Sequence, residues 1–371
     1  MPDSPTQIPY VNLSAQWQDD RHELLPIIDR VLGSGQYING DEVDKFEKKV
    51  AELCQVRYAI ALNSGTDALT LALHLLGVGH GDEVITPPNS FIASTAVIVH
   101  VRARPVFVDV LPNQNIDPEK IEAAITDKTK AIMPVHLSGR VCDMDPIMKI
   151  ADKYKLAVLE DAAQAIGSRY NGKHSGSFGH VGCFSTHPLK NLNACGDGGF
   201  ITTNDEKIYS RSKALRNHGM VERNIVNEFG YVSRMDNLQA AILYYRLDKL
   251  ETIIKKRRRN AQDYLDGIQV EQVYLPQEKD YEYNTYHTFV IQTEKRDELK
   301  LYLMNQGIET AVHYPTPIHL QPASKSLGYQ AGDLPIAETQ SEKILTLPVN
   351  QSLEQASIEK IISTINRFFS N

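Results

Sequence analysis

Between residues 58 and 161 short apolar runs alternate with amphipathic segments, and this alternation constrains the fold more than any other feature. Runs at 58–62, 83–86, 106–110, 131–135 and 156–160 read as strands, the last ending at Asp161. Helical patterns lie between them, one after Asn63-Ser64-Gly65-Thr66, one at 90–101, and one each opened by Asp117-Pro118 and Asp145-Pro146. Such alternation predicts an α/β fold with a mostly parallel sheet covered by helices on both faces.

Asp20-Arg21-His22-Glu23 has the form of a capping box ahead of a helix at 24–32, which Gly33 and Gly35 stop. A second helix carries Val43, Phe46, Val50 and Leu53 on one face. Beyond Asp161 a strand is expected at 199–203, and a helix capped by Asn204 that ends near Arg216. A long helix from near Met235 carries Leu238, Ala241, Ile242 and Tyr245. The domain change is expected on it, giving a large domain at 1–248 and a smaller α+β C-terminal domain at 249–371. The latter reads as a strand at 286–292, a helix at 296–306, a His/Pro-rich loop and a last helix at 353–369. Gly77-Val78-Gly79-His80-Gly81 follows a helix rather than a strand and is no dinucleotide loop.

The net charge of −7 gives a nucleic-acid role no support. The one basic cluster, Lys255-Lys256-Arg257-Arg258-Arg259, reads as the solvated face of the long helix. Cys54, Cys142, Cys183 and Cys195 form no CxxC pair, which points to a reducing compartment. The first ten residues lack the pattern of a signal peptide, and no apolar run reaches membrane-spanning length. The expectation is therefore a cytoplasmic protein with no membrane or nucleic-acid partner and no bound metal.

In open α/β sheets ligands sit beyond the carboxyl ends of strands. Three stretches there carry candidate chemistry. Lys190 has no acidic partner in the turn before it, and it lies between Pro188 and the glycines 196, 198 and 199. It is either a surface lysine beside a turn or an amine of lowered pKa that condenses with a carbonyl cofactor. Ser64-Gly65-Thr66 is either a helix cap or a phosphate site at a helix N-terminus. Asp161 is either a cap or a buried carboxylate that needs a cationic partner. Phe91, past another strand end, is either core or a cover for a ring. Taken together, the second readings match the needs of pyridoxal 5'-phosphate: a lysine, an acid at the ring nitrogen and a phosphate site.

The chain resembles the DegT/StrS-type sugar aminotransferases, a family of aspartate-aminotransferase fold, nearly end to end. The resemblance covers Gly40-Asp41-Glu42-Val43, Asn63-Ser64-Gly65-Thr66-Asp67-Ala68, Gly81-Asp82-Glu83-Val84 and Pro134-Val135-His136-Leu137-Ser138-Gly139. It continues through Glu160-Asp161-Ala162-Ala163-Gln164, the Lys190 loop, Leu215-Arg216-Asn217-His218-Gly219, Gln239-Ala240-Ala241, Gly307-Ile308-Glu309-Thr310 and His313-Tyr314-Pro315. It implies that Lys190 forms the Schiff base with the cofactor and shuttles the proton, and that Asp161 pairs with the ring nitrogen. It further implies Gln164 at the ring hydroxyl, Ser185, Gly65 and Thr66 at the phosphate, Phe91 on the ring, and His313, Tyr314 and His319 toward the sugar. The implied enzyme is a homodimer acting on small molecules. It moves an amino group from an amino acid, glutamate by expectation, to a keto or aldehyde sugar in amino-sugar biosynthesis for lipopolysaccharide, other surface polysaccharide or a natural product. One departure stands out. Val232 occupies the place of an Asn that reaches the phosphate from the neighbouring subunit, and a valine side chain has no donor. Lys190 argues against the related sugar dehydratases, which have His there; a non-catalytic regulator of the same fold is the reading from another class. For the substrate two readings stay open. The Lys190 loop resembles the branch acting on nucleotide-linked 3-keto-6-deoxyhexoses, and the whole chain is similar to transaminases that make 8-amino-3,8-dideoxy-manno-octulosonate.

Overall fold

The structure, a computed structural model, describes residues 8–370. Most of the segment read above as lacking a signal peptide lies outside them. Helix α1 (Leu13–Ser34) is longer than the sequence suggested. Its cap is Asn12, whose side chain accepts from Ala15 N at 2.9 Å. The apparent capping residue Asp20 is instead buried inside it, paired with Arg246 and Lys249 at 3.3 and 3.2 Å. Gly35 ends the helix in the left-handed region, as expected (φ 69°). Helix α2 (Asp41–Cys54) buries Val43, Phe46 and Val50.

A seven-stranded sheet follows: β1 (Tyr58–Leu62), β2 (Glu83–Thr86), β3 (Arg104–Phe107), β4 (Thr129–Ile132), β5 (Ala157–Asp161), β6 (Val181–Ser185) and β7 (Gly199–Thr203). Its order is β1-β7-β6-β5-β4-β2-β3, and only β7 runs against the rest. Helices α3 (Gly65–Leu75), α4 (Ile92–His100) and α5 (Met144–Tyr154) lie in crossovers between strands, and α6 (Glu206–Leu215) follows the last strand. Helix α6 is capped by Asp205, which accepts from Lys207 N and Ile208 N; Asn204 instead accepts from Arg57 N. Asp117 and Pro118 do open a helix, but of a single turn (Pro118–Ile121).

One face of the sheet packs on α2 and the first half of α7 (Asn237–Gly267). There the rings of Phe184 and Phe200 stack at 4.6 Å, with Phe46 edge-on to Phe200 at 5.7 Å. The other face packs on α3, with Ile60, Leu62, Leu71, Leu73 and Ile98 fully enclosed. The second half of α7 supplies Ala261, Tyr264 and Ile268 to a separate core. That core also holds the antiparallel pair β8 (Phe289–Gln292) and β9 (Ile344–Leu347), and helices α8 (Arg296–Asn305) and α10 (Gln355–Ser370). Helix α9 (Pro335–Lys343) lies between these last strands in sequence.

Candidate active site

The carboxyl ends of β1, β5 and β6 open on one cavity of about 390 Å³. Its wall includes Gly65, Thr66, Phe91, Asp161, Gln164, Ser185, Lys190, His313 and Tyr314, nine of the ten residues assigned a role in the site, with Ser64 beside them. The exception is His319, a correction to the expectation. It lies outside the cavity wall, 2% exposed, with Nε2 3.0 Å from Glu338 Oε1 and its ring between Phe107 and Tyr329. Its burial and its carboxylate partner make it a brace for the loop around it.

At the end of β1, Ser64 caps α3 by accepting from Asp67 N at 3.0 Å, which leaves the first amides of the helix facing the cavity. This turn is close-packed. A Cβ on Gly65 would lie 2.7 Å from Ser185 Cβ, and one on Gly199 would lie 2.4 Å from the Ser64 carbonyl carbon. Only glycine lets β6, β7 and the α3 N-terminus approach in this way. Ser185 is thereby held beside Gly65, and hydroxyl and amides form an anion cradle.

Asp161 closes β5. Its Oδ2 accepts from Ser94 Oγ at 2.7 Å and its Oδ1 from Ala163 N at 3.2 Å. Burial pushes its pKa up against these bonds, and Lys190 pulls it down only weakly. A buried carboxylate whose contacts are all neutral donors suits a protonated pyridine nitrogen. Behind it lies a feature that the sequence reading passed over. Glu160, fully buried, takes His136 Nε2 at 2.9 Å and the amides of Gly176, Phe178 and Gly179 at 2.7 Å each. Burial alone would raise its pKa, but these four donors hold it below the usual range. His136 Nδ1 accepts from Cys142 N, so Nε2 carries the proton toward Glu160.

Lys190 stands on the loop after β6. Asn193 donates to Pro188 O at 2.8 Å, exchanges two 2.9 Å bonds with Gln16 of α1, and is gripped by Arg246 of α7 at 2.7 and 3.1 Å. Two helices thus fix the turn that carries the lysine. Burial pulls its pKa down to about 8, opposed by the charge of Asp161. Gln164 accepts from Ser138 N at 2.8 Å, which leaves its amide nitrogen for the cavity. Phe91, 54% exposed, lies 5.8 Å from the ring of Tyr314. Burial and Asp161 push the Tyr314 hydroxyl up to about 12, while burial and Lys190 hold His313 at about 4, so both are uncharged at neutral pH.

The cavity also takes in Tyr10, Ser94, His287 and Arg257, which the sequence reading missed. Arg257 corrects the reading of the basic cluster as a solvated face, for it is only 6% exposed. A signal was present. Leu250, Ile254, Arg257, Ala261 and Tyr264 follow helical spacing, which puts the arginine on the apolar stripe. Ser94, Tyr10 and His287 come from three separate segments, and only the fold brings them together.

These residues fit pyridoxal phosphate: an amine of lowered pKa, a buried acid lacking a cation in contact, and an anion cradle share one cavity. Residues 18–366 match the DegT/DnrJ/EryC1/StrS aminotransferase family. The chain is 42% identical to the dTDP-3-amino-3,6-dideoxy-alpha-D-galactopyranose transaminase of Aneurinibacillus thermoaerophilus, covering 97% of this chain and 99% of the relative. It is also 42% identical to a protein named "pleiotropic regulatory protein" in Geobacillus stearothermophilus, covering 98% of each. Among solved structures, DesV of S. venezuelae superposes with a TM-score of 0.97 at 38% identity, over 99% of this chain and 100% of that one. Other structural neighbours were captured in pyridoxal-phosphate and pyridoxamine-phosphate forms. The chain therefore belongs to the DegT/DnrJ/EryC1/StrS aminotransferase family and is a pyridoxal-phosphate-dependent sugar aminotransferase.

Proposed function

We propose that this enzyme moves the amino group of glutamate to the 3-keto carbon of a nucleotide-linked sugar, in biosynthesis of an amino sugar for lipopolysaccharide, other surface polysaccharide or a natural product. The observation that carries the reading is the convergence of Lys190, Asp161 and the α3 N-terminus on one cavity. The sugar class is supported by relatives at 42%, 41% and 37% identity whose names specify 3-amino or 3-oxo sugars linked to dTDP or UDP. These favour the nucleotide-linked substrate over 8-oxo-3-deoxy-manno-octulosonate.

When bound, the cofactor supplies an electron sink for the carbanion left at the donor's α-carbon. In this reading Asp161 holds the proton on the ring nitrogen, and Gln164 donates to the ring hydroxyl. Gly65, Thr66 and Ser185 hold the phosphate, and Phe91 covers one face of the ring. Lys190 Nζ would take the α-proton and return it two atoms away, the span of a 1,3-prototropic shift. Its lowered pKa keeps a large share of the amine ready to accept a proton near neutral pH. His313 and Tyr314, uncharged at the cavity wall, hydrogen-bond the sugar.

The same reading makes the enzyme a cytoplasmic homodimer with domains at 1–248 and 249–371. The domain division is supported by the two cores that α7 serves. The reducing compartment is supported by four free cysteines, three of them buried. No described helix is long and apolar enough to cross a membrane. The dimer is supported by the exposed apolar side chains of Val221, Phe229, Tyr231 and Val232 around one hairpin. The test is a screen of nucleotide-linked 3-keto and 4-keto sugars and the keto-octulosonate with isotope-labelled glutamate, read by mass spectrometry. Label in a 3-amino nucleotide sugar is expected; label only in the octulosonate product would overturn the substrate class, and no transfer from glutamate would overturn the donor.

A further inference from the structure

Lys190 sits on a loop that Ala194 N closes onto Thr186 O at 2.7 Å, and Lys190 N bonds back to His187 O at 2.8 Å. These backbone bonds set the ends of the loop. The direction in which the lysine leaves it depends on the two asparagines that follow. Asn191 donates to Thr285 O at 3.1 Å. Asn193 does more. Its Nδ2 donates to Pro188 O at 2.8 Å and to Gln16 Oε1 at 2.9 Å. Its Oδ1 accepts from Gln16 Nε2 at 2.9 Å and from Arg246 Nη1 at 3.1 Å. An asparagine side chain has two N–H donors and two lone pairs on its oxygen, so each one is used.

The partners are as fixed as Asn193 itself. Asn193, Arg246 and Gln16 are only 4%, 5% and 7% exposed. Arg246 also holds the Asn193 carbonyl at 2.7 Å and is held in turn by Asp20 at 3.3 Å. The bonds tie the loop to α1 and α7, 177 and 53 residues away in sequence. The bond to Pro188 O spans the lysine, joining the residue two before it to the residue three after it. It therefore shapes the turn from which the Lys190 side chain departs. A lysine stem is flexible, so the backbone at its base sets where the amine stands. Moving a proton between two positions two atoms apart needs that placement, and an error of about 1 Å costs about 100-fold.

We propose that Asn193 is a positioning residue for the proton transfer by Lys190, acting through Pro188 O and held in place by Gln16 and Arg246. This rests on the transaminase reading of the cavity, whose wall does not include Asn193.

The test separates position from packing. Asn193→Asp keeps the volume, and its charge faces Arg246, but it cannot donate to Pro188 O. Gln16→Glu keeps an acceptor for Asn193 Nδ2, and Gln16→Ala removes it. In the cofactor-free proteins, hydrogen exchange read by mass spectrometry should be about 10-fold faster over residues 186–194 in Asn193→Asp, with β7 unchanged. In the holoenzymes, the glutamate half-reaction is followed in a single turnover by visible absorbance, with protiated and α-deuterated glutamate. Counted per bound cofactor, Asn193→Asp should be about 10- to 100-fold slower, with a deuterium isotope effect at least as large as that of the wild type. Half-saturating glutamate should stay within about twofold. Gln16→Ala should be about 10-fold slower, and Gln16→Glu within about threefold of the wild type. A wild-type rate in Asn193→Asp would overturn the proposal. So would a loss of activity that vanishes when counted per bound cofactor, which would make Asn193 a brace for the fold. If Asn193→Asp does not fold, the Gln16 variants decide: equal rates in Gln16→Glu and Gln16→Ala would refute the clamp. A wild type inert to every amino acid would instead refute the transaminase reading beneath it.

Discussion

In protein freed of cofactor, Lys190 should titrate with a pKa of about 8. Burial lowers it, and the charge of Asp161 limits the fall. At pH 7 a group with a pKa of about 8 is roughly a tenth unprotonated, against about 0.03% at the ordinary 10.5, so reactive amine rises about 300-fold. Only the unprotonated amine attacks an aldehyde, so the rate should climb with pH and level off above about 8. The assay is Schiff-base formation by the apo-protein with 4-pyridinecarboxaldehyde, which has no phosphate to titrate. Lys190→Ala protein run in parallel removes the contribution of surface lysines. In Asp161→Asn the midpoint should move lower still, because the opposing charge is gone. A midpoint near 10, or one that moves up in Asp161→Asn, would refute the electrostatic reasoning.

Asp161→Asn should also slow α-proton exchange of a bound amino acid by about 10- to 100-fold while cofactor binding falls less, since one charge-assisted bond is lost; exchange at the wild-type rate would remove Asp161 from the ring nitrogen. Gly65→Ala should loosen cofactor retention by about 10- to 100-fold on dialysis, because its Cβ would sit 2.7 Å from Ser185 Cβ and overpacking of this kind costs about 1–3 kcal/mol. Unchanged retention would show that the cradle can relax. Val232 is 56% exposed, so Val232→Asn is free to offer a donor toward a neighbouring subunit. It should tighten cofactor retention by roughly 1.5–3 kcal/mol less any reorganisation, and unchanged or weaker retention would mean that the position does not face a phosphate.

The sheet was legible in sequence because its strands are short apolar runs bounded by turn residues. The strand at 199–203 and the turn at Ser64 fell where expected. Boundaries drifted where a tertiary bond outranks local propensity: Asp20 reads as a cap, but its partners Arg246 and Lys249 lie more than two hundred residues away. Strand β6 escaped notice because its glycine and serine are poor strand formers: Gly182 is demanded by the close approach of Gly176 and Thr202, and Ser185 lies against Gly65. Lys190 and Asp161 were legible because each stood without a local partner that would explain it. Arg257 and His319 were misjudged for one shared reason, that composition tells charge and residue type but not which way a side chain faces. The arginine turns into the cavity and the histidine away from it.

The central claim is tested most directly by label transfer in two proteins. Wild-type enzyme and Lys190→Ala, each loaded with pyridoxal phosphate, are given amine-labelled glutamate and a nucleotide-linked 3-keto sugar, and the product is weighed by mass spectrometry. The wild type should yield labelled 3-amino sugar, and Lys190→Ala, still folded by circular dichroism, should yield none above background. Labelled product from Lys190→Ala at anything near the wild-type rate would contradict the claim.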